Sequence, residues 1–387
     1  MKFSIKNLIK SNRYVWMLYR RIGSSFLIMC ARFIKVKKER ILFMSFGGRQ
    51  YSDSPKALYE AMKRDPFFAN YEMAWAFNTP KEIGDIGCKK ILIDSFAYFK
   101  YALSSRVWIT NTSICRGLQF KRIDNICVNT WHGTPLKRMG ASLDPNPKYK
   151  ERVDIACCQN DMDREIFLRL FNIKKEDLMQ VDLPRNDALF HYTEDKVENI
   201  RKTLGISKQK KVILYMPTYR DYNLDKQYNN YFLPPIDFEK WEKHLSREYV
   251  LVIRFHYLID RFLDIPKTTF FINASNYEDV NDLYAVADVL ISDYSSTYVD
   301  YSVLERPMFC FGYDYDHYKK WRGFELDFEK AIPCSIDRTE DELLKHIENM
   351  DYEEYVQKAK QFHNRFAKYA GHATEAVVDE LKKRILD

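Results

Sequence analysis

The stretch ADVLISDYSSTYVDYSVLERPMFCFGYD, residues 287–314, contains a complete strand–helix–strand pattern. Val289–Ile291 is an apolar run that stops at polar residues, as a short buried strand does. Ser295-Ser296-Thr297 then opens a helical pattern, because hydroxyl side chains are favoured at helix N-termini. Glu305 ends that helix, and Pro307 precedes a second apolar strand. This succession predicts two parallel strands joined by a crossover helix.

The same alternation extends toward the N-terminus. Other β-branched or apolar runs also end in turn or polar residues, at Arg40–Phe46, Arg106–Thr110, Ile126–Thr130, Val212–Met216 and Val250–Arg254. Helical periodicity is found between them, at Pro55–Lys63, Asp161–Leu170 and Asp279–Ala287. The pattern predicts an α/β fold of two doubly wound, Rossmann-like domains facing a central cleft. Ligands are expected at the carboxyl ends of the strands.

A charged, apolar-poor stretch from Glu194 to Lys211 suggests the domain junction. We therefore expect an N-terminal domain over 40–195 and a C-terminal domain over 210–365. Residues 366–387 should form a helix that returns to the first domain. A chain of 387 residues with 46% hydrophobic content is long enough to bury two such cores.

The positive charge is concentrated at the N-terminus. Residues 1–40 contain eleven Lys or Arg against one acid, Glu39, so this segment carries +10 and the rest −3. A near-neutral body argues against nucleic acid as a partner. The longest uncharged run in the segment, Ile22–Ala31, is too short to cross a bilayer. We predict that residues 1–39 form a basic amphipathic segment on an anionic membrane surface, the alternative being a helix packed on the protein's own surface.

Several other classes of site lack support in the sequence. The eight cysteines form no CxxC pair and have no histidine at zinc-finger spacing, so we expect reduced thiols. A GxxxxGKS/T loop is absent, which argues against P-loop nucleotide hydrolysis. Acidic pairs such as Asp161 with Asp163 lie in helical patterns and are weak metal signals. We expect neither a metal nor a cofactor.

Two motifs of the first half carry side chains suited to phosphate chemistry. NTWHGTPLKRMG (129–140) places His132 at the end of a strand, where a neutral imidazole could accept a proton from a hydroxyl nucleophile. A core histidine beside a turn is the alternative. LPRNDALF (183–190) presents Arg185, Asn186 and Asp187 in sequence. The arginine could hold a phosphate or pair with Asp187, while Asn-Asp before an apolar helix is also a common N-cap.

Two motifs of the second half also end strands. ILYMPTYRD (213–221) places Thr218 and Arg220 where they would suit a diphosphate, a turn with a solvated ion pair being the alternative. VIRFHYLID (252–260) puts Arg254 and His256 two residues apart, on one face of a strand end.

The opening stretch is the fifth motif. Its strand stops at Ser292-Asp293, and Ser295, Ser296 and Thr297 could either cap the next helix or hold an anion there. Together the five motifs collect hydroxyls, arginines and two histidines at strand ends. A phosphate-rich donor needs these groups.

In their order and wording the five motifs resemble the CDP-glycerol glycerophosphotransferase family, which primes and polymerises teichoic acids and related capsule polymers. ILFMSFGGRQYSDSPKALYEAM (41–62) resembles the family's opening motif, and the likeness covers about residues 40–320. It implies a GT-B architecture with the donor in the C-terminal domain and the acceptor entering from the N-terminal one. It also implies metal-independent attack of an acceptor hydroxyl on the polyol-bearing phosphate of CDP-glycerol or CDP-ribitol, with CMP leaving.

The resemblance implies a role for each motif residue. His132 would be the general base, and His256 with Arg254 would steady the diphosphate and the leaving group. Five further residues would hold the donor phosphates: Ser295, Ser296, Thr297, Thr218 and Arg220. The others would face the acceptor or support the site: Asp53, Gly133, Thr134, Lys137, Arg185, Asn186, Asp187 and Asp293.

Two positions depart from the family pattern. Tyr257 replaces the usual Pro and Leu183 the usual Gly, which predicts a different loop after His256 and a less permissive turn before Pro184. The acceptor would be a lipid-linked saccharide or polyol phosphate, and the protein would be peripheral at the cytoplasmic face of a bacterial membrane. The alternatives are a nucleotide-sugar-dependent glycosyltransferase of the same fold and a non-catalytic membrane scaffold.

Overall fold

The computed structural model describes residues 12–139, 152–218, 220, 234–255 and 265–387. The chain divides into two compact units. The first contains the described residues through His132, the segment ending at Arg185, and the residues from His372 onward. The second contains Gly133–Met139 and Asn186–Gly371.

The first unit is built on a seven-stranded parallel sheet. Its strands are β1 (Lys37–Met44), β2 (Glu72–Phe77), β3 (Lys89–Leu92), β4 (Ser105–Thr110), β5 (Ile126–Asn129), β6 (Ile155–Cys158) and β7 (Leu178–Gln180). They lie in the order β3-β2-β1-β4-β5-β6-β7. The order reverses between β1 and β4, and ligands of α/β proteins bind beyond such a reversal, at the carboxyl ends of the strands.

Helices cover both faces of this sheet, because its central strands are apolar on both sides. They are α1 (Arg13–Ala31), α2 (Asp53–Arg64), α3 (Phe96–Ser104) and α4 (Asp161–Leu170), with 3₁₀ turns at Pro66–Phe68 and Lys175–Asp177. The C-terminal helix, Ala373–Leu386, also belongs to this unit. Its Val377, Val378 and Leu381 pack in one core cluster with Leu58 of α2.

The second unit contains a six-stranded parallel sheet in the order β10-β9-β8-β11-β12-β13. The strands are β8 (Lys211–Tyr215), β9 (Tyr249–Ile253), β10 (Phe271–Asn273), β11 (Val289–Ser292), β12 (Met308–Phe311) and β13 (Ile336–Asp337). The helices are α5 (Glu194–Thr203), α6 (Phe238–Leu245), α7 (Val280–Val286), α8 (Thr297–Ser302), α9 (Tyr315–Trp321), α10 (Phe328–Ala331), α11 (Glu340–Glu348) and α12 (Tyr352–Phe366). The C-terminal helix is therefore α13.

The predicted α/β class with two parallel sheets is confirmed, and residues 287–314 form β11, α8 and β12. The boundary between the units lies at Arg185/Asn186, before the interval from 195 to 210 in which the sequence predicted a junction. Helix α5 is part of the second unit because the preceding Tyr192 donates a hydrogen bond to Asp282 (2.6 Å) of α7. The charged stretch around α5 is thus an exposed surface of one domain.

Helix α1 packs on the first unit through one face. Ser24, Leu27 and Ala31 are buried there, and the Ser24 hydroxyl accepts a hydrogen bond from the Gln119 amide (2.9 Å). Ten large apolar side chains in and just after α1 remain exposed: Tyr14, Val15, Met17, Leu18, Tyr19, Ile22, Phe26, Ile28, Met29 and Phe33. Among the described helices, none is long and apolar enough to cross a membrane.

Candidate functional site

The loop after β5 positions His132. The Asn129 side chain accepts a hydrogen bond from the Trp131 amide (2.9 Å), which turns the chain at the end of the strand. Trp131 takes φ +57° and Gly133 takes φ +138°. Positive φ is uncommon for a residue other than glycine, and such conformations persist where the surrounding structure holds them. The loop therefore has a defined shape at the carboxyl end of the sheet.

A backbone carbonyl fixes the tautomer of His132. Its Nδ1 lies 2.8 Å from the carbonyl oxygen of Asn111, the residue that follows β4. A carbonyl oxygen can only accept a hydrogen bond, so Nδ1 carries the proton and Nε2 is the basic nitrogen of the neutral ring. The Asn111 side chain in turn accepts from the Phe46 amide (2.8 Å), which ties the loops after β1 and β4 together. The imidazole is thus oriented by two neighbouring strand ends.

Arg185 and Asp53 form a buried ion pair beside this loop. Nη1 of Arg185 lies 2.5 Å from Oδ2 of Asp53, and both side chains are less than a tenth exposed. Nη2 of Arg185 donates to the backbone carbonyl of His132 (3.3 Å). The sequence left open whether Arg185 holds a phosphate or pairs with Asp187, and the structure pairs it with Asp53. Three residues predicted for the site, His132, Asp53 and Arg185, are therefore in contact.

The rest of that motif forms a 3₁₀ helix, Pro184–His191, and does not cap an α-helix. Asn186 is buried in the second unit and donates to Asp300 of α8 (3.0 Å). Asp187 is half-buried in the same 3₁₀ turn. Leu183, which replaces the expected glycine, is buried in the core and is not among the residues with positive φ. The turn before Pro184 therefore needs no glycine.

The second unit has a cavity of about 430 Å³ at the carboxyl ends of its strands. Its wall is formed by residues after β8, β9 and β11, by helix α9 and by one residue of the 133–139 segment. The lining residues are Lys137, Met216, Pro217, Thr218, Arg254, Phe255, Ser295, Thr297, Tyr318 and Arg322. Three of these are cations and none is acidic. The cavity therefore favours an anion. We call it the donor pocket, after the role that the family resemblance implies for this half of the chain.

Two polar atoms of the donor pocket have no hydrogen-bond partner among the described residues: Nη1 of Arg254 and Oγ1 of Thr218. Both atoms are buried. Burial lowers the pKa of the Arg254 guanidinium, because the charged form loses solvation. An arginine nevertheless keeps its charge at neutral pH. The pocket thus holds a charge that a bound anion would neutralise.

Arg220, predicted to line the same site, occupies a different position. Its Nε and Nη2 donate to the two oxygens of Asp314 (2.7 and 2.8 Å), and Nη1 donates to Asp293 (2.9 Å). The guanidinium is about 1% exposed, and it also donates to the carbonyl of Thr218 (2.7 Å). Asp293 accepts from the Thr218 amide (2.8 Å). Arg220 and Asp293 therefore hold the backbone of Thr218 and do not form the pocket wall.

Two of the hydroxyl residues at the start of α8, Ser295 and Thr297, are hydrogen-bonded to each other. The Ser295 hydroxyl accepts from the Thr297 amide (3.2 Å) and lies 2.7 Å from the Thr297 hydroxyl. Both residues line the donor pocket, whereas Ser296 is the N-cap residue and is not part of the wall. The N-cap residue Ser296 makes no capping hydrogen bond through its side chain, and the hydroxyl residues Ser295 and Thr297 both line the pocket.

The 133–139 segment leaves the first unit directly after His132. Thr134 is buried, and Lys137 pairs with Phe324 in an antiparallel bridge. This places Lys137, predicted to face the acceptor or support the site, in the wall of the donor pocket. His256, predicted to steady the diphosphate, and Tyr257, predicted to change the loop after it, lie outside the described residues.

Sequence reasoning missed Asn111, Tyr318 and Arg322. Asn111 directly follows a predicted strand, so its position at a strand end was a signal that could have been used. Tyr318 and Arg322 lie on and just after α9, beyond the last motif. Their place in the pocket depends on the tertiary fold.

Comparison with known proteins identifies the family. The family model for CDP-glycerol:poly(glycerophosphate) glycerophosphotransferases matches residues 26–383. A teichoic acid poly(glycerol phosphate) polymerase of Staphylococcus epidermidis is 35% identical over 372 residues, covering 90% of this chain and 51% of that protein. The teichoic acid glycerol-phosphate transferase of Staphylococcus aureus is 30% identical over 368 residues, covering 89% of this chain and 93% of that one.

A solved structure also matches along most of the chain. A variant of the wall teichoic acid polymerase TagF superimposes with a TM-score of 0.85 at 32% identity, covering 99% of this chain and 98% of that one. The chain spans about half the length of the Staphylococcus epidermidis polymerase and of a Bacillus subtilis polymerase that is 32% identical to it. Because the family model matches most of this chain, the chain belongs to the CDP-glycerol:poly(glycerophosphate) glycerophosphotransferase family.

Proposed function

We propose that this chain transfers a polyol phosphate from a CDP-polyol to a hydroxyl group of a teichoic acid or a related polymer, with release of CMP. The observation that carries the proposal is the pair of buried polar atoms in the donor pocket, Nη1 of Arg254 and Oγ1 of Thr218. Membership of the family supplies the class of donor. The second unit would therefore bind the diphosphate of the CDP-polyol.

Electrostatics supports the diphosphate as the occupant. A buried polar group without a hydrogen bond costs free energy, and a buried charge without a partner costs more. Phosphate oxygens would accept charge-assisted hydrogen bonds from Arg254 and a neutral one from Thr218. The hydroxyls of Ser295 and Thr297 line the same wall. The three cations of the pocket are Arg254, Lys137 and Arg322. We therefore propose that they neutralise the donor phosphates without a metal ion.

His132 is the proposed general base. With Nδ1 held by the Asn111 carbonyl, Nε2 is the nitrogen that accepts the proton of the acceptor hydroxyl. The hydroxyl oxygen then forms a bond to the phosphorus that carries the polyol. The bond from that phosphorus to the bridging oxygen breaks, and CMP leaves with the bridging oxygen. Asp53 and Arg185 position the base through the contact of Arg185 with the His132 carbonyl.

CDP-glycerol is the proposed donor in preference to CDP-ribitol. The Staphylococcus epidermidis poly(glycerol phosphate) polymerase shares 35% identity over 372 residues. Two poly(ribitol phosphate) polymerases share 26%, and a third shares 32% over a shorter stretch of 235 residues. Because these relatives are named as teichoic acid polymerases, we propose a teichoic acid chain as the acceptor. At the membrane, the substrate would be its lipid-linked form.

We propose that α1 attaches the protein to an anionic membrane surface. One face of the helix packs on the first unit. Packing on the protein's own surface, which was the alternative to membrane binding, therefore explains that face but not the other. The other face exposes apolar side chains such as Ile22 and Phe26, each more than half exposed, among the basic residues of 20–38. An apolar surface of this extent with flanking cations matches a helix that lies in the membrane interface. The site of action would be the cytoplasmic face of the membrane.

Mixing the purified protein with CDP-glycerol and a lipid-linked acceptor should release CMP, also in the presence of EDTA. His132→Ala should lower kcat by about 10²–10⁴-fold, because the hydroxyl loses its base, and should leave CDP-glycerol binding intact. The exposed His191→Ala is the matched control. Release of CMP from neither CDP-glycerol nor CDP-ribitol would contradict the transferase. Release of UDP from a UDP-sugar would favour a sugar transferase, and unimpaired cell function of His132→Ala would favour a scaffold.

Arg220→Gln and Arg254→Gln should have different effects on stability. Arg220→Gln should lower the free energy of unfolding by about 3–5 kcal/mol, because it leaves Asp293 and Asp314 buried without their cation. Arg254→Gln should leave stability unchanged or raise it, because it removes a largely desolvated charge whose Nη1 makes no hydrogen bond within the described residues, and it should weaken CDP-glycerol binding. Urea unfolding measures the stability of each variant, and calorimetric titration measures its affinity for CDP-glycerol. A loss of stability in Arg254→Gln equal to that in Arg220→Gln would assign Arg254 a structural role.

Substituting both Ile22 and Phe26 by Glu should reduce binding to phosphatidylglycerol vesicles at least ten-fold. Each change removes about 1.5 kcal/mol or more of apolar burial and adds a negative charge. Phe96→Glu is the matched control, since Phe96 is 83% exposed on α3 of the same unit. Co-sedimentation at low and high salt gives the measurement. Equal sedimentation of the double variant and the wild type would refute the role of α1.

A further inference from the structure

We propose that Lys137, together with Arg322, binds the phosphate that becomes the leaving group, so that the donor pocket takes a cation from the same loop that carries the general base. This inference rests on the proposed function and assigns Lys137 to the donor, where the family resemblance implied that it faces the acceptor or supports the site. The ligand is the nucleoside monophosphate half of a CDP-polyol, and free CMP after transfer.

Backbone hydrogen bonds on both sides of Lys137 fix its position. The Arg138 amide donates to the carbonyl of Gly323 (3.2 Å), and the Glu325 amide donates to the carbonyl of Leu136 (3.0 Å). Lys137 itself pairs with Phe324. A short antiparallel ladder therefore holds residues 136–138 against residues 323–325. The backbone of Lys137 cannot move away from the pocket without breaking these bonds.

The partner segment is anchored by aromatic packing. The Phe324 ring stacks on Phe328 (4.5 Å between centroids) and on Tyr315 (5.8 Å), and it meets the edge of Tyr294 (5.8 Å). Tyr294 is fully buried, and its hydroxyl donates to Asp314 (2.8 Å). Interiors packed in this way resist displacement. The ladder that carries Lys137 is therefore attached to the same buried network that contains Arg220.

Arg322 reaches the same pocket from α9. It is the C-cap residue of that helix, and its amide donates to the carbonyl of Tyr318 (2.8 Å). Tyr318 and Arg322 both line the cavity with Lys137. The pocket thus contains two cations in addition to Arg254.

The charge of the reaction accounts for these additional cations. The diphosphate of a CDP-polyol is a diester with about two negative charges, one on each phosphate. When the polyol phosphate is transferred, CMP leaves as a phosphate monoester, and a second negative charge develops on its phosphate. Fixed cations aimed at developing charge stabilise the transition state more than the ground state. Lys137 and Arg322 would supply that stabilisation.

Calorimetric titration of the full chain with CMP and with CDP-glycerol tests the assignment. Lys137→Met should weaken CMP binding at least ten-fold, equivalent to ~1.4 kcal/mol. CDP-glycerol binding should weaken less, because the phosphate next to its cytidine carries one negative charge, whereas the phosphate of CMP carries about two. Arg322→Gln should behave in the same way, and Lys137→Arg should restore most of the affinity. Lys345→Met, at an exposed position on α11 outside the pocket, is the matched control. The KM for the acceptor should not change.

Two results would overturn this role. CMP affinity of Lys137→Met and Arg322→Gln within two-fold of the wild type, with unchanged melting temperatures, would exclude both residues from the donor. A raised acceptor KM with unchanged CMP affinity would return Lys137 to the acceptor side. Wild-type protein that binds neither CMP nor a CDP-polyol would instead contradict the proposed function, and this role with it.

Discussion

The buried guanidinium of Arg220 joins the carboxyl ends of three parallel strands in the second unit. It binds Asp293 after β11 and Asp314 after β12, and it holds the Thr218 carbonyl after β8. Although burial lowers the pKa of Arg220, Asp293 and Asp314 raise it above its usual value, so the charge is retained in the interior. Removing either partner of such a network leaves an uncompensated charge, which makes its members interdependent. The shape of the donor pocket depends on this constraint.

A second arginine plays the corresponding part in the first unit. Arg185 pairs with Asp53 and contacts the carbonyl of His132, the residue proposed as the base. Both Arg185 and Arg220 are thus occupied by carboxylates. Arg254 differs, since no described carboxylate forms an ion pair with it, and its buried Nη1 makes no hydrogen bond within the described residues. Burial alone does not distinguish a structural arginine from a ligand-binding one, whereas the presence of a carboxylate partner does.

The sequence predicted those parts of the structure that are determined locally. Periodicity and turn residues predicted two parallel sheets. The sequence also predicted that His132, Thr218 and Arg254 follow strand ends, as they do in the structure, and their roles in the site stay predictions. The carboxylates that occupy Arg220 lie 73 and 94 residues away in sequence, so no local pattern could reveal them. Residue 111 likewise fixes the tautomer of His132 from 21 positions away.

The role of Lys137 shows the same limit. Its motif places it five residues after His132, and the resemblance implied that it faces the acceptor or supports the site. The chain crosses into the second unit at Gly133, and contacts with residues 323–325 decide where Lys137 lies. Helix α1 is a comparable case, because its charges were evident from the sequence but its buried face of Ser24, Leu27 and Ala31 required the fold.

In the proposed function, the second unit binds the diphosphate of a CDP-polyol at Arg254 and Thr218. A crystal structure of the complex with CDP-glycerol would locate the diphosphate. Its oxygens should lie about 2.7–3.2 Å from both Nη1 of Arg254 and Oγ1 of Thr218. A donor bound elsewhere, with these two atoms still lacking a phosphate partner, would contradict this proposal.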